Sequence, residues 1–330
     1  MAAIVETRDL TQRYGATLAL DRLSLEIPQG AIFGFIGPNG AGKTTTMRIL
    51  TTLLAPTSGE AWVAGRSVLR EPLEVRKVVG FMPDFFGVYD NMKVWEYLDF
   101  FGRAYGIAPG RRAGMIDELL ALVDLGHKRD DFVMGLSRGM KQRLSLARTM
   151  IHDPSLLILD EPASGLDPRA RIELRELLKE LRALGKTVMI SSHILTELAE
   201  MCTHIAIIER GKLLAAGDVQ TIMRSLQPHR TIEIRVLDGA EQAEALLRPR
   251  PDVLSVRRDA PAQAEQPPAQ AEAEPSHGAY TLLLDYTGDE RGLGDLLAAL
   301  VGAGVVVTRF AEQSSDLEDI FMQVTKGIVQ

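Results

Sequence analysis

Residues 37–45 read Gly-Pro-Asn-Gly-Ala-Gly-Lys-Thr-Thr, three glycines followed by a cation and two hydroxyls. The spacing fits G-x-x-x-x-G-K-[ST], a turn whose backbone N–H groups close around phosphate oxygens. Gly37, Pro38, Asn39, Gly40, Ala41 and Gly42 would form that turn, Lys43 would reach terminal phosphates, Thr44 would offer its hydroxyl to Mg²⁺, and Thr45 would continue the helix start whose dipole attracts anions. A second group, LLILDEP at 156–162, ends an apolar run in two acids. On a strand neighbouring the one that feeds the phosphate turn, Asp160 would hold Mg²⁺ through its water shell and Glu161 would take the proton from an attacking water. His193, in the Ser-Ser-His of 191–193, falls at the same sheet edge and can donate to a phosphate oxygen. A third group poses a question. Ser137 and Gly139, in LSRGM at 136–140, look like the start of a helix, which suits an anion. Arg138, Lys141 and Arg143 add cations where the helix dipole disfavours them, so an anion from elsewhere must offset them.

These groups need an α/β frame. AIFGFIG (31–37), SLLILD (155–160), KTVMISS (186–192) and THIAIIE (203–209) are short apolar runs that read as buried strands of a largely parallel sheet. Strands of this kind deliver their following loops to one edge, where open α/β sheets bind ligands. Between them, roughly residues 85–150 carry helical periodicity, with Val94, Tyr97, Leu98 and Phe101 on one face and Leu119, Leu122 and Val123 on another, and read as a helical insert. The first domain is placed at 1–225. A smaller α+β domain follows at 226–330: TIEIRVL, a helix over 240–247, DVLSVRR, YTLLLDY, a helix over 290–302, GVVVTRF and a last helix near 316–325. Its stretch 259–278, rich in Pro, Ala, Gln and Glu, has little to bury and is expected to be a disordered loop.

Composition narrows the partners. A net charge of −7 over 330 residues gives no bulk attraction to nucleic acid, and none is expected as a partner. The single cysteine, Cys202, excludes an internal disulfide and fits a reducing compartment. No stretch approaches the ~18 apolar residues of a membrane span, so the expectation is a cytoplasmic chain.

The five groups together resemble the ATP-binding subunits of ABC transporters. GPNGAGKT is similar to that family's Walker A, LSRGM to its signature, LLILDEP to its Walker B, SGLD (164–167) to its D-loop and Ser192-His193 to its H-switch, in the family's order. The resemblance covers residues 4 to about 225. It implies a P-loop NTPase fold of ABC type, with a mixed sheet core and helical insert, and ATP with Mg²⁺ as ligands. It implies that Tyr14 stacks on adenine, that Asp167 joins the nucleotide-binding set, and that Ser137, Arg138 and Gly139 meet the γ-phosphate. It also implies head-to-tail pairing with a second ATPase subunit, read as a second copy, and separate transmembrane permease subunits, with the chain peripheral on the inner face of the cell membrane. Departures matter too. Arg138 and Met140 replace two residues of the usual Leu-Ser-Gly-Gly-Gln, Ala163 replaces a common Thr, and Asp84 stands where the family has Gln or Glu. The shorter Asp84 leaves direct Mg²⁺ ligation and a simple turn role both open. The tail, ending SDLEDIFMQVTKG, is similar to the accessory domain of drug, antibiotic and lipid exporter ATPases. Of the aromatics Phe85, Phe86, Tyr89, Trp95, Tyr97, Phe100 and Phe101, with Val88, most are expected in the core and a few exposed as a docking groove for a membrane-subunit helix. An importer ATPase is the nearest alternative. Soluble ABC ATPases of ribosomes or DNA are further off, because this chain has one cassette and a short insert, and a non-catalytic subunit is disfavoured by Lys43, Glu161 and His193.

Overall fold

The computed structural model describes residues 2–84, 87, 89, 91–194, 198, 201–226, 230–259 and 280–312. Two compact units divide between Ile222 and Met223, three residues before the boundary placed from sequence. In chain order the first unit holds β1 (Ala3–Tyr14), β2 (Thr17–Pro28), β3 (Ile32–Ile36), α1 (Lys43–Leu50), β4 (Ser58–Val63), β5 (Arg66–Ser67), α2 (Pro72–Val78), β6 (Val79–Met82), α3 (Val94–Ala104), α4 (Pro109–Leu122), α5 (Arg138–Thr149), β7 (Leu156–Leu159), α6 (Pro168–Ala183), β8 (Thr187–Ser192), β9 (His204–Glu209) and β10 (Lys212–Asp218); the division falls within α7 (Val219–Leu226).

Its main sheet has the order β10-β9-β3-β8-β7-β6. All neighbours run parallel except β10, which closes one edge antiparallel to β9. Every residue of β3, β7 and β8 is buried, as a parallel sheet covered on both faces requires. One expectation needs correcting here: the acid-bearing strand β7 does not neighbour the phosphate-turn strand β3, because β8 lies between them. A second, antiparallel sheet, β2-β1-β4-β5, was not anticipated. Its Leu20, Leu23 and Ile27 share one core cluster with Phe33 and Phe35 of β3 and Met47 and Ile49 of α1.

Helices α3, α4 and α5 fill the span between β6 and β7. Val94, Tyr97 and Leu98 are buried as expected, and Phe101 is half-buried. On α4 the buried stripe is Ile116 and Leu120, continued by Val123, while Leu119 and Leu122 are half-buried. That spacing of four and three is the inner face of a helix packed on one side. Among the described residues no helix is long and apolar enough to cross a membrane.

The second unit runs β11 (Arg230–Val236), α8 (Ala240–Leu247), β12 (Val253–Asp259), β13 (Tyr280–Tyr286), α9 (Glu290–Gly302) and β14 (Val307–Glu312), with the antiparallel order β12-β13-β11-β14. This is a split βαβ arrangement. Ile232, Ile234, Leu282 and Leu284 of the sheet form one core with Ala243, Leu247, Leu296 and Leu300 of the helices. The segment expected to be disordered lies outside the described residues apart from Asp259, as does the helix expected near 316–325. Asp259 and Thr281 are paired across β12 and β13, so the ends of the segment already meet. Replacing 260–279 by a four-residue turn is therefore expected to leave ATPase activity unchanged and the melting temperature equal or slightly raised, since closing a loop about five times shorter recovers about 1.4 kcal/mol. Differential scanning fluorimetry with a turnover assay checks it; a fall of more than a few degrees would mean that the segment packs or binds.

Candidate functional site

The turn after β3 is shaped by backbone that tolerates no side chain. A Cβ on Gly37 would stand 2.3 Å from the Ile208 carbonyl oxygen. Gly42, the N-cap of α1, has φ +110° and a hypothetical Cβ 2.8 Å from the Ala19 carbonyl. No side chain caps α1, so the first N–H groups of that helix remain available to an anion. A cavity of about 330 Å³ opens over this turn. Residues 38–45 line it together with Ala19, Asp84, Asp160 and Glu161.

Lys43 is only 6% exposed. Its Nζ donates to the carbonyls of Gly37 at 2.6 Å and Pro38 at 3.3 Å and lies 3.5 Å from Glu161 Oε1. Glu161 Oε2 is 3.0 Å from Nδ1 of His193. Ionised, that carboxylate only accepts, so the imidazole donates there. Asp160 is buried and accepts the Thr44 hydroxyl on Oδ2 at 2.8 Å and the Ser191 hydroxyl on Oδ1 at 2.6 Å. Partial burial, followed by the neighbouring Asp160 and Glu161 carboxylates, raises the Asp84 carboxyl above its ordinary value, while Arg138 pulls the other way. Hard oxygen donors crowded with negative charge suit a divalent cation bound through one or two carboxylates and substrate phosphates. Among the described residues no group of three or more His, Cys, Asp or Glu is placed to hold a metal on its own.

The remaining expected residues lie elsewhere. Tyr14 ends β1 at the hairpin turn, 46% exposed, and does not line the cavity. Ser137 is the N-cap of α5, its Oγ accepting the Met140 N–H at 3.3 Å. Asp167 caps α6 by accepting the Ala170 N–H at 2.9 Å. Arg138 donates to the Ser164 carbonyl at 3.1 Å, and its guanidinium fills the space that a Cβ on Gly165 would need. Three residues not anticipated contribute here: Ala19 on the cavity wall, buried Gln142 donating to the Pro162 carbonyl, and Ser191. Ser191 was legible only as part of Ser-Ser-His; its role depends on β8 sitting between β3 and β7.

Comparisons agree with this geometry. The ABC transporter family profile matches residues 20–164. The Nod factor export ATP-binding protein I of Cupriavidus metallidurans is 35% identical over 326 residues, 98% of each chain. The bacitracin transport ATP-binding protein BcrA of Bacillus licheniformis is 42% identical over 65% of this chain and 69% of its own length. A solved structure described as the ATP binding subunit of an ABC transporter aligns with a TM-score of 0.61 at 29% identity, covering 67% of this chain and 92% of the other. The chain belongs to the ATP-binding, ATP-hydrolysing subunits of ABC transporters, among relatives of the export type.

Proposed function

We propose that this chain binds ATP with Mg²⁺ in the cavity over the 37–45 turn and hydrolyses it as one half of a head-to-tail pair of identical chains, driving export through separate membrane-spanning subunits. The observation carrying this reading is the convergence of Lys43, Thr44, Asp160 and Glu161 on one cavity. On ATP binding, Lys43 exchanges its own loop carbonyls for phosphate oxygens, and the uncapped start of α1 receives the anion. Thr44 and Asp160 would hold Mg²⁺, with Asp84 at the rim of the same cavity; bound there, the ion neutralises phosphate charge. Glu161 accepts the proton of the attacking water, and His193 orients that carboxylate. Tyr14 is assigned to adenine, and Ser137, Arg138, Gly139 and Asp167 to the nucleotide of the second copy.

The membrane partner is assigned to a groove of about 280 Å³ within the first unit, whose lining includes Leu53, Arg76, Phe101, Tyr105 and Arg148. Leu53 is 61% and Tyr105 49% exposed, and Arg148 lies over the Phe101 ring. Two cations among apolar side chains suit a short amphipathic helix carrying an acid. Such docking would hold the chain on the inner face of the cell membrane. Purification of tagged protein from detergent-solubilised native membranes is expected to recover a multi-span membrane protein, and Arg148→Glu to lose it while ATP binding persists. Recovery of the chain alone in both cases would overturn the docking assignment.

A further inference from the structure

Ser191 lies at the carboxyl end of β8, beside Phe35 of β3, and one step beyond the paired Leu159 and Ile190 of β7 and β8. It therefore stands between the strand that delivers the phosphate turn and the strand that delivers the acids. Its side chain is fully buried. A buried hydroxyl must find partners, and it has one proton to give and lone pairs to receive. Here the proton goes to Asp160 Oδ1 at 2.6 Å, and the oxygen accepts the backbone N–H of Glu161 at 2.9 Å. Because the other Asp160 oxygen takes the Thr44 hydroxyl, both edges of that carboxylate are fixed.

Glu161 needs such a hold. Its φ is +50°, the left-handed region that residues with a Cβ enter as single strained positions when surrounding contacts impose it. Relaxation to negative φ would swing the side chain away from Lys43 and His193, which it now bridges. One hydroxyl thus touches both determinants of the site: the carboxylate beside Thr44 and the backbone turn that aims the next acid.

We propose that Ser191 is a positioning residue of the ATPase site, setting the orientation of Asp160 and the backbone turn of Glu161 through a single hydroxyl on the intervening strand. The proposal rests on the assignment of Asp160 to Mg²⁺ and of Glu161 to proton acceptance made above. It explains how two acids delivered by β7 are registered against a phosphate turn delivered by β3 when the strands are not neighbours: β8 carries the link.

Ser191→Thr and Ser191→Val test it, since the two side chains have nearly equal volume and differ in the hydroxyl; Ser191→Ala covers the case in which the strand rejects either. In Ser191→Val, kcat is expected to fall about 10- to 100-fold, with KM for ATP within about twofold, because Lys43 and the turn N–H groups are untouched. A second readout needs no turnover: the Mg²⁺ concentration giving half-maximal thermal stabilisation by the non-hydrolysable analogue AMP-PNP should rise several-fold. Ser191→Thr should remain near wild type in both. In a Glu161→Gln background, Ser191→Val should add little further loss of turnover yet still raise the Mg²⁺ midpoint. Normal kcat and a normal Mg²⁺ midpoint in folded Ser191→Val or Ser191→Ala would overturn the proposal, as would equal losses in the Thr and Val variants. If Glu161→Gln alone turned over normally, the base assignment would fail instead, while the Mg²⁺ midpoint would still report the link from Ser191 to Asp160.

Discussion

Glu161→Gln is expected to reduce steady-state ATP turnover by about two to three orders of magnitude while leaving ATP binding intact. The substitution keeps the side chain's shape and removes its charge and its capacity to take a proton. Glu161 contacts Lys43 Nζ at 3.5 Å and His193 Nδ1 at 3.0 Å. Neither contact is needed to bind phosphate, since the substitution leaves both the Lys43 ammonium and the uncapped start of α1 in place. Loss of one negative charge from a cavity that already holds Asp84 and Asp160 also favours a polyanion. With binding preserved and hydrolysis slowed, the ATP-bound pair should accumulate, so light scattering with ATP should report twice the monomer mass in the variant and a lower mean mass in turning-over wild type. Unchanged turnover would remove Glu161 from the proton-accepting role and point to another acceptor beside the cavity.

The parts of this site that were readable from sequence are those whose chemistry is local. The 37–45 turn needs glycines where Ile208 and Ala19 press against it and a lysine at the following helix start, so its spacing reports its shape. The parallel strands were readable because burial on both faces makes continuous apolar runs of β3, β7 and β8. The antiparallel sheet was harder. Along β1 the period-two signal breaks where its pairing to β2 shifts register between Thr7 and Leu10, around Asp9 with φ +47°, so the residues do not alternate cleanly. Of the face expected on α4, Val123 is buried but Leu119 and Leu122 lie beside the stripe, because they are as apolar as the buried Ile116 and Leu120 and only the packing distinguishes them. Strand order was not legible at all. Nothing in LLILDEP says that KTVMISS lies between it and AIFGFIG, so neither the separation of β7 from β3 nor the bridging hydroxyl of Ser191 could be read from spacing.

A mixed dimer with Lys43→Ala in one subunit and Ser137→Arg in the other is expected to trap one ATP, whereas neither variant alone traps any. The reason lies in where LSRGM stands. Ser137 and Gly139 open α5, and neither lines the cavity that holds their own chain's Lys43. Arg138 is held on the Ser164 carbonyl and Arg143 lies 3.4 Å from the Asp124 and 3.8 Å from the Glu173 carboxylate, so part of the basic charge has partners within the chain, while the first N–H groups of α5 would suit an anion from outside. In the proposed head-to-tail pair, a second copy would supply it as the γ-phosphate of its own ATP. Each homodimer then carries the same lesion in both sites: Lys43→Ala removes the buried ammonium from each, and Ser137→Arg blocks the opposing helix start in each. In the mixed dimer the two lesions share one site, and the other joins an intact phosphate turn to an intact α5 start. Ser137→Arg also removes an N-cap worth about 0.5–2 kcal/mol, so its melting temperature must be checked before trapping is scored. The measurement is nucleotide retained per doubly tagged, purified dimer, since turnover can require two working sites. If α5 served the cavity of its own chain, every subunit in the mixture would hold one broken site and mixing would restore nothing; absence of trapped ATP in folded mixed dimers, with wild type trapping normally, would therefore exclude the head-to-tail arrangement.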